Sequence, residues 1–220
     1  MFRNAIVKGY ELTQETSFKL LKRVLKDFGH GGTKLDATPV KDILRLAATH
    51  GIMTLEEVER WFTYRANRNT TAHDYGEGFA KETLLLLPSF VTDVTGLECV
   101  CAHDSTTRTG CAMKTLATDA LHLPAAYLSM VRDILSRHMP VWAYGSRVTG
   151  TGHNTSDLDL VLRNPARLDE ETGNLGALTD AFSEGNLPIR VDLTDWARIP
   201  EHVRQEIART HVVVQPGTPR

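Results

Sequence analysis

One stretch constrains this chain more than any other: Y-G-S-R-V-T-G-T-G-H-N-T-S-D-L-D-L-V-L, from Tyr144 to Leu162. A short apolar run ending at Tyr144 leads into a turn of small residues, Gly145-Ser146. Asp157 and Asp159 then stand one residue apart at the head of a second apolar run. Residues two apart in a strand point to the same face. Two acids placed so repel each other and add nothing to packing, but they suit a divalent cation. Gly145 lets the backbone approach a phosphate closely, and Ser146 offers a hydroxyl and an N–H. Arg147 supplies a charge that can neutralise phosphate oxygens. A phosphate-accepting turn beside paired carboxylates points to metal-assisted chemistry on a nucleotide.

A third acid strengthens this. Asp192 lies in an apolar run, Ile189 to Leu193, that reads as another strand. An acid in such a run is costly unless it is paired or binds metal. Asp157, Asp159 and Asp192 together could hold Mg2+, which takes a few carboxylates plus substrate phosphates. Asp157 and Asp159 would bridge metal to a triphosphate, and Asp192 would help lower the pKa of an attacking hydroxyl. Gly-Ser and Ser-Asp pairs are also ordinary loop residues, so the specificity rests on their joint order.

The rest of the chain divides into two kinds of sequence. Phe18, Leu21, Leu25 and Phe28 recur at helical spacing and predict a helix over residues 4–28. Thr38-Pro39 predicts a second helix start, running to about His50, and Thr54-Leu55-Glu56-Glu57 is a capping box opening a third helix with Trp61 and Phe62. A fourth, over 79–94, is expected to bend at Pro88. These four predict a helical bundle over residues 1–95. Residues 96–120 are small and polar and read as a linker. It holds Cys99, Cys101, His103 and Cys111, which are zinc-ligand types at spacings that fit a paired-ligand knuckle poorly. Residues 121–220 alternate helix and strand: a helix from Pro124 to about His138, strands at 141–144, 158–162, 189–193 and 212–214, a helix bracketed by Gly173 and Gly185, and one opened by Pro200. The fold class expected is α+β, a helical bundle followed by a small α/β domain with a mixed sheet.

Composition narrows the function. A formal net charge of −2 excludes a protein that holds nucleic acid by bulk charge. Three cysteines, an odd number, argue against a disulfide framework. The N-terminus lacks the apolar core of a signal peptide, and no apolar run of membrane-spanning length is expected, so the reading is a soluble cytoplasmic protein with no membrane partner.

Residues 120–215 resemble the minimal nucleotidyltransferases (MNT) of the DNA polymerase beta-like superfamily. The resemblance lies in G-S-R-V-T-G, then S-D-L-D-L, then R-V-D-L-T-D-W. It implies Mg2+-dependent transfer of a nucleoside monophosphate from a triphosphate such as ATP, with release of pyrophosphate.

The stretch R-N-T-T-A-H-D-Y, Arg68 to Tyr75, is the other candidate. Arginine binds a scissile phosphate and histidine works as acid or base near neutral pH, although both are also common at ordinary helix C-termini. Residues 4–95 resemble a HEPN domain, whose pattern of Arg, four residues, His, one residue, Tyr matches Arg68, His73 and Tyr75. E-L-T-Q-E-T-S-F-K-L-L-K also resembles an early helix of that family, although the long helix that usually precedes it is expected to be missing here. The resemblance implies a homodimer with a ribonuclease cleft built on Arg68 and His73, an RNA substrate, and Tyr75 as the acceptor of AMP from the transferase. The expected function is therefore toxin–antitoxin type AMPylation that silences a ribonuclease. The alternatives are a transferase acting on a small molecule held by the helical half, as in aminoglycoside nucleotidyltransferases, or a degenerate interaction module.

Overall fold

The structure is a computed structural model and describes residues 2–71, 77–102, 121–135 and 139–217. The chain divides into two compact units, Met1–Thr109 and Gly110–Arg220.

The first unit is helical. Helix α1 (Phe2–Asp27) buries Tyr10, Gln14, Phe18, Leu21 and Leu25, the stripe that a period of 3.6 places on one side. Phe28, expected to continue that stripe, lies past the helix end, is largely exposed, and packs its ring 4.7 Å from that of His50. A short helix α2 (Gly32–Ala37), not anticipated from the sequence, tucks Leu35 into the core. Helix α3 (Val40–Thr49) starts one residue later than Thr38-Pro39 suggested, with Pro39 itself at the N-cap. Helix α4 (Leu55–Thr71) opens with the expected reciprocal cap: Glu57 N–H donates to Thr54 Oγ1 at 3.2 Å, and Thr54 N–H to Glu57 Oε2 at 2.7 Å.

Helix α5 (Glu77–Ala102) corrects the sequence reading in two ways. It runs past both expected ends, keeping Pro88 inside one helix, and it continues into the stretch expected to be linker. Pro88 is exposed, on the side of the helix where a missing N–H and a bulky ring disturb no packing. The segment Lys81–Ala102 is long and apolar enough to cross a membrane by length and composition, contrary to the expectation that no such run exists. One face nonetheless belongs to the core of this unit. Phe90 packs its ring 4.4 Å from Tyr10, 5.2 Å from Tyr64 and 5.8 Å from Trp61. Buried Asp93 accepts two hydrogen bonds from Arg60, at 2.8 and 2.7 Å, and one from the Tyr64 hydroxyl at 2.8 Å. Burial pushes the Asp93 carboxyl up, but those hydrogen bonds outweigh it and hold the group below its ordinary value.

The second unit is built on a four-stranded mixed sheet in the order β3-β2-β1-β4. Strands β1 (Val141–Tyr144) and β2 (Leu158–Leu162) are antiparallel, β1 and β4 (Val212–Gln215) antiparallel, and β2 and β3 (Val191–Asp195) parallel. Strand β3 begins two residues later than expected, with Ile189 buried in the turn before it. Helices α8 (Leu175–Glu184) and α9 (Glu201–Arg209) lie where the sequence placed them, α6 (Ala125–Ile134) starts as expected but ends before the predicted His138, with Leu135 already extended, and a four-residue helix α7 (Ser146–Thr149) fills the turn after β1. Val141, Ala143, Leu158, Leu160 and Leu162 alternate onto one face and are buried. Trp142, Tyr144 and Val161 face the other side, where Trp196, Ile199 and Ile207 complete a second cluster. That side also carries the acids.

Candidate active site

Register brings the acids together. Asp159 of β2 is paired with Asp192 of β3 in the parallel ladder, and also with Tyr144 across β1. In-register residues of neighbouring strands point to the same face, so Tyr144, Asp159 and Asp192 share one. Asp157 stands just ahead of β2, two residues before Asp159, and its charge acts on Asp159. Asp192 is exposed, because Val191 and Leu193, its apolar neighbours, face the opposite side. The apolar surroundings inferred for it from sequence are therefore those of its neighbours.

The turn is shaped to Asp159. Gly145 has φ 76°, a region that L side chains rarely adopt, and a Cβ there would collide with the Asp159 carboxylate. Gly152 allows a second close approach, its N–H donating to Ser146 O at 2.9 Å. Glycine at these two places lets the loop fold over Ser146 while the acid lies against the turn.

Burial pushes the Asp159 carboxyl up to about 6, the charges of Asp192 and Asp157 push in the same direction, and Arg147 opposes them. Asp157 has one oxygen, Oδ1, that is buried without a hydrogen-bond partner, and its Oδ2 lies 3.7 Å from Arg190 Nη1. The Tyr144 phenol is pushed up by burial and by Asp159 and Asp192, while its hydrogen bond with Thr194 counters them.

Arg147 is not turned toward open phosphate space in this structure. It is 3% exposed, and its guanidinium donates to the carbonyls of His122 (2.7 Å), Asn154 (2.8 Å) and Ser156 (3.0 and 2.6 Å). It ties the two ends of the loop together and faces Asp157 and Asp159 only through its charge.

Among the described residues, no three His, Cys, Asp or Glu side chains are gathered closely enough to hold a metal ion alone. The donor set still fits Mg2+, which completes its shell with phosphates and water. An orphaned carboxylate oxygen and a carboxyl raised by burial and by neighbouring acids are both relieved by a divalent cation.

In the helical unit, Arg68 lies in the last turn of α4, where Nη2 donates to Glu15 Oε1 at 2.6 Å. His73 and Tyr75 lie outside the described residues. Cys99 and Cys101 lie in the last turns of α5, and His103 and Cys111 are outside the described residues. Sequence reasoning missed Tyr144, Gly152 and Arg190. Tyr144 carried a signal, since strand pairing opposite Asp159 puts it on the acid face; Arg190 carried only its place ahead of Val191-Asp192.

A mixed sheet with a Gly-Ser turn and acids on one face defines a minimal nucleotidyltransferase domain, here fused behind a HEPN-type helical unit. Known proteins agree from both ends. Residues 1–99 match the family described as nucleotidyltransferase substrate binding protein like. The chain is 42% identical over 98 residues to the probable protein adenylyltransferase MntA of Haemophilus influenzae, covering 43% of this chain and 84% of that protein. It is also 29% identical over 87 residues to the probable ribonuclease HepT of the same organism, covering 40% of this chain and 58% of HepT. The chain belongs to the MntA family of nucleotidyltransferases.

Proposed function

We propose that the second unit transfers AMP from ATP to a protein tyrosine hydroxyl, with Tyr75 of the helical unit as acceptor, within a chain or between chains. The observation that carries this reading is the Asp159 carboxylate lying against Gly145, in register with Asp192 and acted on by the charge of Asp157. Asp157, Asp159 and Asp192 would hold Mg2+, which when bound neutralises phosphate charge and acidifies a nearby hydroxyl. The backbone at Gly145-Ser146 receives the phosphates. Asp192, the exposed acid of the three, takes the proton as the tyrosine oxygen bonds to the α-phosphorus. The bond from that phosphorus to the bridging oxygen breaks, and pyrophosphate leaves with the electron pair. Arg147 serves as the brace of the loop, inside which its charge still offsets the acids.

The name of the relative HepT and the Arg68–His73–Tyr75 spacing support the helical unit as the target, a ribonuclease on RNA silenced when Tyr75 is modified. A homodimer through this unit suits α5. Leu84, Leu85, Pro88 and Val91 lie exposed along its outer side, with Leu85 at 75%. A family description that names substrate binding favours a second reading, in which the helical unit holds a small acceptor.

Intact mass after incubation with ATP and Mg2+ separates these. AMP should add to the wild type, and Tyr75→Phe and Asp157→Ala should each abolish the gain. A gain that persists in Tyr75→Phe removes Tyr75 as acceptor. ATP consumption without any protein gain favours the small-molecule reading.

A further inference from the structure

Two arginines stand near the acids, and the structure gives them opposite freedom. Arg147 is buried and held by three carbonyls. Arg190 has a fixed backbone, since its carbonyl accepts the Leu158 N–H at 2.9 Å, which anchors it beside Asp157. Its side chain is 40% exposed and makes no hydrogen bond among the described residues; its partner there is Asp157 Oδ2, 3.7 Å from Nη1. That separation is beyond hydrogen-bond range and leaves a Coulombic contact only. Such a contact is easily exchanged for another anion. The other oxygen of Asp157 remains buried without a hydrogen-bond partner.

We propose that Arg190 is a stand-in cation. It neutralises Asp157 while the site holds no metal, then passes to the phosphates of the nucleotide and of the leaving pyrophosphate once a divalent cation takes that carboxylate. The proposal rests on Asp157 being a metal ligand. Rotation of its own half-exposed side chain would let the guanidinium reach phosphates held beside Asp157. Arg190 is then a positioning residue in the empty site and a phosphate contact in the loaded one. A merely structural ion pair that aligns the start of β3 beside β2 would act in one direction only. The stand-in role makes opposite predictions for metal alone and for pyrophosphate.

The test uses the full chain and two binding measurements. Free Mn2+ is followed by electron paramagnetic resonance without nucleotide, on wild type, R190Q, R190K and D157A. Losing the competing charge should tighten Mn2+ binding in R190Q by roughly two- to fivefold, the range of a half-exposed ion pair. R190K, which keeps the charge, should leave the affinity at the wild-type level. Inhibition of the transferase by pyrophosphate should weaken in R190Q by about tenfold, the scale of a lost charge-assisted hydrogen bond. Mn2+ binding that is unchanged or weaker in R190Q overturns the proposal, as does unchanged inhibition by pyrophosphate. If D157A binds Mn2+ as the wild type does, the metal-site reading itself fails. R190M, of similar length and without charge, repeats both measurements should R190Q lose its thermal transition.

Discussion

Asp159→Asn should make the second unit more stable and inactive. In the protein without metal, burial and the charges of Asp192 and Asp157 raise the Asp159 carboxyl from 3.8 to about 6. A rise of that size corresponds to at most about 3 kcal/mol against the ionised form at neutral pH. The site is partly open to water, so solvent screening reduces this to about 1–2 kcal/mol. The sign follows from linkage: the folded state binds the proton more tightly than the unfolded chain does. The destabilisation is therefore fully present above about pH 6 and disappears as pH falls toward the unfolded value near 4. Asparagine keeps the shape and removes the charge, so the gain should appear at about pH 8 and vanish near pH 4. Urea unfolding in EDTA measures it, following tryptophan fluorescence in a Trp61→Phe background. That change leaves Trp142 and Trp196, both in the second unit, as the reporters. Replacing Trp61 also removes a buried indole N–H that has no hydrogen-bond partner. An Asp159→Asn protein no more stable than its parent at neutral pH, or equally stabilised at both ends of the range, refutes the argument.

Gly145→Ala places a Cβ against the Asp159 carboxylate at a positive φ, and should lose about a hundredfold in transfer rate while costing about 1–3 kcal/mol in stability, read by radiolabel transfer and thermal unfolding. Asp93→Ala leaves the buried Tyr64 hydroxyl unpaired and takes both bonds from Arg60; because Arg60 is 42% exposed and recovers water, about 2–3 kcal/mol should be lost rather than the full penalty of a broken buried pair. The Asp93 carboxyl is held below its ordinary value, so that difference should be complete at neutral pH and shrink in strong acid as the folded carboxyl takes its proton, which acid unfolding of the two proteins checks. Leu85→Glu with Val91→Glu puts charge on the outer side of α5 and tests the dimer proposed there: light scattering should give a dimer for the wild type and a monomer for the variant, with helicity unchanged.

Local chemistry made much of this fold legible. The reciprocal cap at Thr54 and Glu57 uses only neighbouring residues, and the short apolar runs of β1 and β2 likewise mark strands by local sequence alone. Elements failed where a distant contact decides. Ile189 looks like the start of a strand because it is apolar, yet it is buried in a turn and the ladder begins at Val191. The end of α5 was hidden too: small residues around Gly96 look like a linker, yet the helix runs on to Ala102 with Leu97 buried in the core. The acids were legible as a set from alternation and order. Their register was not, because Asp159 meets Asp192 only through the choice of a parallel pairing. The inward turn of Arg147 was equally hidden. It depends on carbonyls at His122, Asn154 and Ser156, whose arrival beside it is a property of the folded loop.

The fold holds like charges together and relieves them only in part, through the charges of Arg147 and Arg190. The parallel β2–β3 ladder fixes Asp159 beside Asp192, the turn at Gly145 closes over Asp159, and Arg147 locks the loop between β1 and β2 that leads into Asp157 and Asp159. These contacts fix the backbone that carries Asp159 beside the backbone that carries Asp192, so the two acids stay neighbours. A ligand that brings positive charge relieves the repulsion that remains. A ligand that binds only the folded state adds stability with the logarithm of its concentration, about 2.7 kcal/mol at a hundred times its dissociation constant. Magnesium with a nucleotide should therefore raise the unfolding temperature of the second unit in the wild type more than in Asp159→Asn, where the repulsion it relieves is already gone. In the helical unit the buried acid Asp93 is matched within its own core by Arg60 and Tyr64, so the same ligand should leave that unit's transition unchanged.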